Sequence, residues 1–337
     1  MWIPAILLAV GFVLLIKGGD WFVDGASGIA RRFNLPEILI GATVVSIGTT
    51  LPEVMVSAGA ALQGSGSIAY GNAIGSIICN TSLILALTVA IKPGVAARKS
   101  MILPVAFFFG AAGIYCLSAY VLGTFSRVIG IILLSVFVAY MVMTVLKMKN
   151  SPAIENATEL ELEAATGEDH VVESVAAGTK DSLVKDIVLL ILGAAMIAVG
   201  ADLLVDNAII IAEKFGVSEK VIGLTIVALG TSLPELVTAI TALVKGHGSL
   251  SLGNIIGANL FNLVLVSGAA VTISPFAVPV SGLIGGINSS LVLDIPVMLA
   301  VMLILTVPTL ISQKIYRWQG VILLGIYAAF CALQFLI

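Results

Sequence analysis

The sequence predicts an all-α polytopic membrane protein of ten transmembrane helices, arranged as two inverted five-helix repeats. Three observations carry this. Hydrophobic residues make up 59% of the 337-residue chain and charged residues only 10%, against about 45–50% and about 25% in soluble domains. Gly41–Glu53 (GATVVSIGTTLPE) recurs as Gly223–Glu235 (GLTIVALGTSLPE), with eight identical positions at an offset of 182 residues. The same offset carries Asp20 onto Asp202, Asp24 onto Asp206, Asn72 onto Asn254, Gly75 onto Gly257 and Asn80 onto Asn262. The apolar spans divide five to five about one acidic stretch. Two copies of an odd-numbered unit in one chain must insert with opposite orientations, which makes the repeat an inverted one.

About 20 apolar residues at a 1.5 Å rise cross the hydrocarbon core. The first span, 2–28, lacks the basic start of a signal peptide, and its apolar run continues past Lys17 into Trp21–Ile29. Spans follow at 37–62, 68–91, 101–121 and 126–147, separated by Gly, Pro and polar clusters. Residues 148–183 hold Glu155, Glu159, Glu161, Glu163, Glu168, Asp169, Glu173 and Asp181; without the EF-hand spacing of ligands and Gly, they read as a solvated linker. The second unit, 184–337, adds spans at 184–212, 219–244, 249–272, 291–312 and 316–336. Its later helices answer those of the first unit, 1–147, with drift: Pro104 to Pro296, and Arg127-x-x-Gly130 to Arg317-x-x-Gly320. With both termini outside, twelve Lys and Arg fall on cytoplasmic segments and three on external ones, so the positive-inside rule places the termini outside the cell membrane and the acidic linker in the cytoplasm. The three cysteines have neither metal-like nor disulfide-like spacing. The net charge of −3 comes from the linker and signals no nucleic-acid partner.

The chemistry lies in the doubled motif. Pro52 has no N–H to give the Gly48 carbonyl, and its ring crowds that turn. The sequence therefore predicts a helix break at Gly48–Pro52, where a freed carbonyl in hydrocarbon needs a protein group, water or a cation. Glu53 follows at once, with the hydroxyls of Thr49 and Thr50 within one turn. Gly230-Thr231-Ser232-Leu233-Pro234-Glu235 repeats the device from the opposite direction. Downstream, Ser76 and Asn80 share a helix face at i and i+4, mirrored by Ala258 and Asn262. Gly71, Gly75, Gly253 and Gly257 form small-xxx-small pairs that allow close helix approach. Kinks, interhelical glue and packing each explain one element alone; the conjunction, twice and in register, indicates an ion pathway. The ligand set is all oxygen, which suits a hard cation. Two carboxylates balance one Ca²⁺ or two monovalent ions, and Mg²⁺ releases its waters too reluctantly for such a site. Asp20, Asp24, Asp202 and Asp206 read first as interfacial or capping acids, with the guiding of entering cations as the alternative, and Asp294 before Pro296 as a helix start.

GTTLPE and GTSLPE, together with GNAIGSIICN and GNIIGANLFN, resemble the two alpha repeats of the cation/calcium exchanger superfamily, in its prokaryotic sodium/calcium exchanger branch. The stretches Gly18–Ala26 and Gly200–Asp206 resemble that family's first and sixth helices. The resemblance implies that Glu53 and Glu235 bridge the ions and that Thr49 and Thr231 offer carbonyls to calcium. Sodium ligands then fall on Ser46, Thr49, Thr50 and Ser76, and on Ala228, Thr231 and Ser232, with Asn80 and Asn262 lining the middle. It further implies that helices one and six slide across a rigid core of helices two, three, seven and eight. The chain departs from the pattern at Ala258, where the family usually has a Ser, and at Asn262, where potassium-dependent relatives carry Asp.

These readings lead to a sodium/calcium antiporter working by alternating access, not an enzyme, with Ca²⁺ and Na⁺ as cargo, no organic cofactor, a lipid bilayer around it and a monomer as the working unit. The alternative is a proton/calcium antiporter, since a buried carboxyl can carry a proton in place of a metal ion and Ala258 removes a sodium ligand. A cation channel fits less well, because a pore is usually built by symmetric oligomers and an inverted repeat within one chain favours alternating access.

Overall fold

The structure, a computed structural model, describes residues 2–33, 35–150, 183–215, 230, 232–280 and 282–336. Among the described residues ten helices appear in chain order: α1 (Trp2–Arg32), α2 (Glu37–Leu62), α3 (Gly66–Ile91), α4 (Arg98–Leu122), α5 (Arg127–Asn150), α6 (Leu183–Lys214), α7 (Leu233–Val244), α8 (Gly248–Ile273), α9 (Ser290–Ser312) and α10 (Arg317–Leu336). The ten-helix, two-repeat architecture of the sequence reading holds. Most of the acidic linker and residues 219–229, the start of the seventh expected span, lie outside the described residues.

Burial sorts the helices. The central windows of α8, α3 and α2 are 83%, 72% and 61% buried, whereas those of α1 and α6 are 22%. Lipid tails are as apolar as Leu, so close packing rather than hydrophobicity selects which faces meet. In α1 and α6 that selection is made by glycine at heptad spacing. An added Cβ at Gly11 would stand 2.8 Å from the Gly200 carbonyl oxygen, one at Gly18 2.9 Å from that of Gly193, and one at Gly25 2.6 Å from that of Asp186. Seven-residue steps run down one helix and up the other, giving one antiparallel pair. Arg32 Nε, 3.3 Å from Asp186 Oδ2, joins the two at one end.

The repeats are also tied end to end by matched devices. Gly130 and Gly320 answer each other, the first against Thr272 at the end of α8 and the second against Ala90 at the end of α3. Arg127 Nε donates to the Thr272 carbonyl at 2.9 Å, and Arg317 Nη2 to the Ile91 carbonyl at 3.1 Å. At one end of the bundle, β1 (Thr124–Phe125) pairs antiparallel with β2 (Phe276–Ala277). At the other, Val95 bridges antiparallel to Lys314. A hairpin, β3 (Leu283–Ile284) with β4 (Ile287–Asn288), fills the connection before α9.

Asp294 does follow an irregular segment, but it caps nothing: the chain is already helical from Ser290, as a π turn, and Asp294 makes no side-chain cap bond. Its Oδ1 instead accepts from Gln334 Nε2 of α10 at 2.7 Å.

Replacing Gly18 or Gly193 by Leu is expected to lower stability by about 1–3 kcal/mol, the cost of overpacking a close contact. Thermal unfolding in detergent measures it, with Gly110→Leu as the control, since an added Cβ there meets nothing within 4 Å.

Candidate functional site

The site forms where α2 crosses α8. An added Cβ at Gly41 would sit 2.5 Å from the Leu250 carbonyl oxygen; one at Gly253 would meet the Ile38 backbone, and one at Gly257 the Ser46 hydroxyl. Only glycine permits this approach. The expected role of Gly253 and Gly257 therefore holds, whereas nothing among the described residues stands within 4 Å of a Cβ at Gly71 or Gly75.

The helix break expected at Gly48–Pro52 takes a different form. From Ser46 to Leu62 the chain stays α-helical through Pro52, and the irregularity lies one turn earlier, as a π turn over Gly41–Val45. Pro52 still leaves the Gly48 carbonyl without an N–H, but helical φ and ψ survive that loss. Wide turns need other donors for their loosened carbonyls, and they find them. Ser46 Oγ donates to the Gly41 carbonyl at 2.7 Å, and Tyr140 Oη of α5 donates to that of Ala42 at 2.8 Å. Further π turns begin at Asn80 and at Asn262, in register between the repeats. Such turns frequently mark functional positions, and no sequence pattern announced them. In the second half Glu235 lies in the first turn of α7, with Pro234 at its start, where the helix N-terminus favours an anion.

Glu53 and Glu235 are both 0% exposed, and their carboxyls are close enough to interact. None of their four oxygens has a hydrogen-bond partner among the described residues. Around them Thr50 Oγ1, Ser76 Oγ, Ser232 Oγ and both amide ends of Asn80 and Asn262 are likewise buried and unpartnered. Native proteins satisfy most buried polar groups; here the exceptions fall on seven of the eleven residues singled out from sequence. Two others are engaged: Ser46 Oγ also donates to the Asn254 carbonyl at 2.9 Å, and Thr49 Oγ1 to Asn254 Oδ1 at 3.2 Å. Thr49 also stands beside Glu235. The remaining two, Ala228 and Thr231, lie outside the described residues. Burying a carboxylate costs several kcal/mol unless an opposite charge offsets it. Among the described residues no Lys or Arg pairs with either Glu, and a hard cation met by carboxylate, hydroxyl and amide oxygens supplies what the site lacks.

Thr238, Ser57, Asn72 and Asn254 were not among the site residues singled out from sequence, the first two because their counterparts differ. Thr238 Oγ1 is buried and unpartnered one turn after Glu235, where the first repeat has Val56. Asn72 Nδ2 donates to the Glu53 carbonyl at 3.2 Å and to Ser57 Oγ at 2.9 Å, whereas Ala239 stands opposite Ser57. Asn254 marked the repeat, yet its amide is also the partner that holds Ser46 and Thr49. A small cleft lies between the site and the α1–α6 pair, lined by Phe22, Ala194, Ala198, Gly48, Thr49 and Pro52 among others. Asp20 and Asp24 are no free entry funnel: Lys245 Nζ lies 2.7 Å from Asp24 Oδ1 and 3.5 Å from Asp20 Oδ1.

Adding a methyl at Gly257 is expected to displace Ser46 and reduce transport at least about tenfold in a flux assay, whereas Gly113→Ala, with open space at its Cβ, leaves it unchanged; a rate loss of that size corresponds to about 1.4 kcal/mol.

The family model described as sodium/calcium exchanger protein matches residues 3–146 and 185–336. An uncharacterized membrane protein of Methanocaldococcus jannaschii is 36% identical, over 94% of this chain and 93% of its own. Sodium/calcium exchanger MaX1 of Methanosarcina acetivorans is 32% identical over 98% of each. The solved structure of the sodium-calcium exchanger NCX_Mj soaked with Na⁺ superposes with a TM-score of 0.77 at 34% identity, covering 98% of this chain and 99% of that one; a structure of NCX_Mj soaked with Na⁺ and Ca²⁺ gives 0.76 at 33%. The chain belongs to the sodium/calcium exchanger family.

Proposed function

We propose that the protein exchanges Na⁺ for Ca²⁺ by alternating access, with either cargo held between Glu53 and Glu235. One observation carries the reading: two fully buried carboxylates without a basic partner among the described residues, accompanied by buried, unpartnered hydroxyl and amide groups. Such a pair demands positive charge, and one Ca²⁺ or two Na⁺ meets the demand equally, so that one cargo replaces the other without leaving charge uncompensated. Thr49, Thr50, Ser46, Ser76 and Ser232, with Asn80 and Asn262, complete the shell; Ala228 and Thr231 join them by family resemblance. The glycine-zippered α1–α6 pair moves as one body across the core, exposing the site to one side at a time. In the cell membrane both termini face outward, residues 148–183 lie in the cytoplasm between the two five-helix units, and the monomer is the working unit.

Protons are the alternative coupling ion, and a specific residue keeps that reading open. Ala258, fully buried, stands where the first repeat has Ser76, so one sodium position has an oxygen fewer. Radioactive Ca²⁺ uptake into Na⁺-loaded proteoliposomes, with proton gradients collapsed, separates the two. Sodium-dependent uptake is expected, reduced at least about thirtyfold in Glu53→Gln and in Glu235→Gln, the factor that about 2 kcal/mol of a buried charged contact represents. Uptake that ignores Na⁺ and follows an imposed pH gradient assigns proton coupling instead.

Ala258→Ser is expected to lower the half-activating Na⁺ concentration about fivefold, as one added oxygen ligand of about 1 kcal/mol does. An unchanged Na⁺ dependence removes position 258 from the sodium shell.

A further inference from the structure

The inverted repeat offers an internal control, because every pocket at one end of the bundle has a counterpart at the other. One pair differs. At the end of α8, Phe276 packs onto Gly66, its Cβ 2.6 Å from where a Gly66 side chain would begin, and its ring joins Phe125 at 5.5 Å. Ala61, Ala69 and Ala270 form a small apolar cluster of their own. At the end of α3 the equivalent of Phe276 is Gly94, and the equivalents of the three alanines are Leu243, Ser251 and Thr88. An added Cβ at Gly94 or at Gly248 meets nothing within 4 Å. The result is a small open cleft with apolar walls, Leu85, Val89, Leu243 and Ile315 among them, in which Lys92, Thr88 and Ser251 are the polar side chains.

Leu243 keeps one wall apolar, while the other two alanine replacements, Ser251 and Thr88, are polar. Ser251 is 3% exposed, and its hydroxyl has no hydrogen-bond partner among the described residues. Gly248 begins α8, whose N-cap residue His247 makes no side-chain cap bond, so the helix presents backbone N–H groups and the positive end of its dipole. Lys92 stands where the other end has Ser274. Lys314 lies across the strand-like bridge from Val95, and Arg317 holds the Ile91 carbonyl at the rim. Among the described residues no carboxylate pairs with Lys92, Lys314 or Arg317. Glu37, held by His247 Nδ1 at 2.7 Å, opens α2, which packs on the opposite face of α8, through Gly41 against Leu250 and Ile38 against Gly253. Successive residues turn by about 100°, so Gly248, Ser251 and Leu252 point away from that contact.

A helix N-terminus, a lysine and a buried hydroxyl with no partner form a receptor for a tetrahedral anion. We propose that this cleft binds a phosphate group, carried either by the headgroup of an anionic lipid or by a free phosphate ion. Val244 and Ile91, next in sequence to the lining residues Leu243 and Lys92, are 80% and 63% exposed. The proposal is independent of the exchange reaction, whose site lies deeper in α2, α7 and α8.

The test uses the full chain and substitutions that copy the opposite end: Lys92→Ser, Ser251→Ala and Gly94→Phe. Native mass spectrometry of protein taken from phosphatidylcholine nanodiscs, with and without phosphatidylglycerol, reads the lipid arm. Equilibrium binding of radioactive inorganic phosphate in detergent reads the free-ion arm. Retained phosphatidylglycerol that falls about tenfold in Lys92→Ser and Ser251→Ala, the factor for one lost charge-assisted hydrogen bond, assigns the lipid; saturable phosphate binding with the same losses assigns the free ion. No binding in either arm, or binding unchanged in both variants, overturns the site. Gly94→Phe adds a steric block, and should it fail to fold, the two polar variants decide alone. Calcium uptake by all folded variants is the control, because none of the three residues belongs to the exchange site.

Discussion

Two carboxylates that share one buried position without a basic partner among the described residues set the terms for everything around them. In isolation each costs several kcal/mol to bury, and their proximity adds repulsion. The chain therefore keeps the surrounding side-chain groups unspent: among the described residues, the side chains of Thr50, Ser76, Ser232, Asn80 and Asn262 hold no hydrogen bonds that a cation would have to break. The backbone is arranged to the same end. π turns at Asn80 and Asn262 widen α3 and α8 where the amides must face the middle, and glycine at 41, 253 and 257 lets α2 approach α8 until Ser46 and Thr49 reach Asn254. Preorganised, unsatisfied oxygen is unfavourable for the protein alone and becomes favourable with cargo, which is the thermodynamic condition for selective binding.

That condition also explains the division of labour between helices. A site this dependent on exact placement belongs on the most buried elements, and α2, α3 and α8 are those. Access must then come from elements that can move without disturbing it. α1 and α6 are less buried than the core helices and fit each other backbone to backbone through Gly11, Gly18, Gly25, Gly193 and Gly200. Tight mutual packing is what a pair needs to shift as one body, even though Phe22, Val23 and Ala26 of α1 also cluster with Ile40 and Val45 of α2. The cleft under Phe22 and Ala198 lies along the boundary with α2.

Much of this was legible in the sequence, for reasons that lie in particular residues. Composition and the doubled LPE motif sufficed for ten spans and an inverted repeat, because backbone satisfaction in lipid leaves a chain few other solutions. Repetition exposed the ligands that occur in both halves. It was blind to those that occur once: Thr238 faces Val56, and Ser57 faces Ala239, so neither stood out. The π turns were invisible because a wide turn uses the same residues as a regular one; its cause lies in the tertiary donors, Tyr140 and Ser46, that make it tolerable. Proline at 52 misled for a related reason. Removing one hydrogen bond does not bend a helix whose neighbours hold it on both sides. The ion pairs of Asp20 and Asp24 with Lys245 escaped because the partner lies 221 and more residues away.

Departures from the repeat carry as much information as its matches. An inverted duplication begins with two equivalent faces, and a transporter that works between unlike compartments has reason to make them differ. Lys245 clamps Asp20 and Asp24 on one side, whereas the equivalent position 63 is Gln, which has no charge to offer Asp202 and Asp206. Ser76 offers a hydroxyl where Ala258 does not. Phe276 fills a space that Gly94 leaves open beside Lys92. Each difference is a small local change, and each lies on a different part of the machine: doorway, ion shell and bundle end. None is needed for the fold, since the opposite half folds with the other residue in its place. A position where the fold accepts either residue, and the two halves still disagree, is a position where packing alone does not decide the choice.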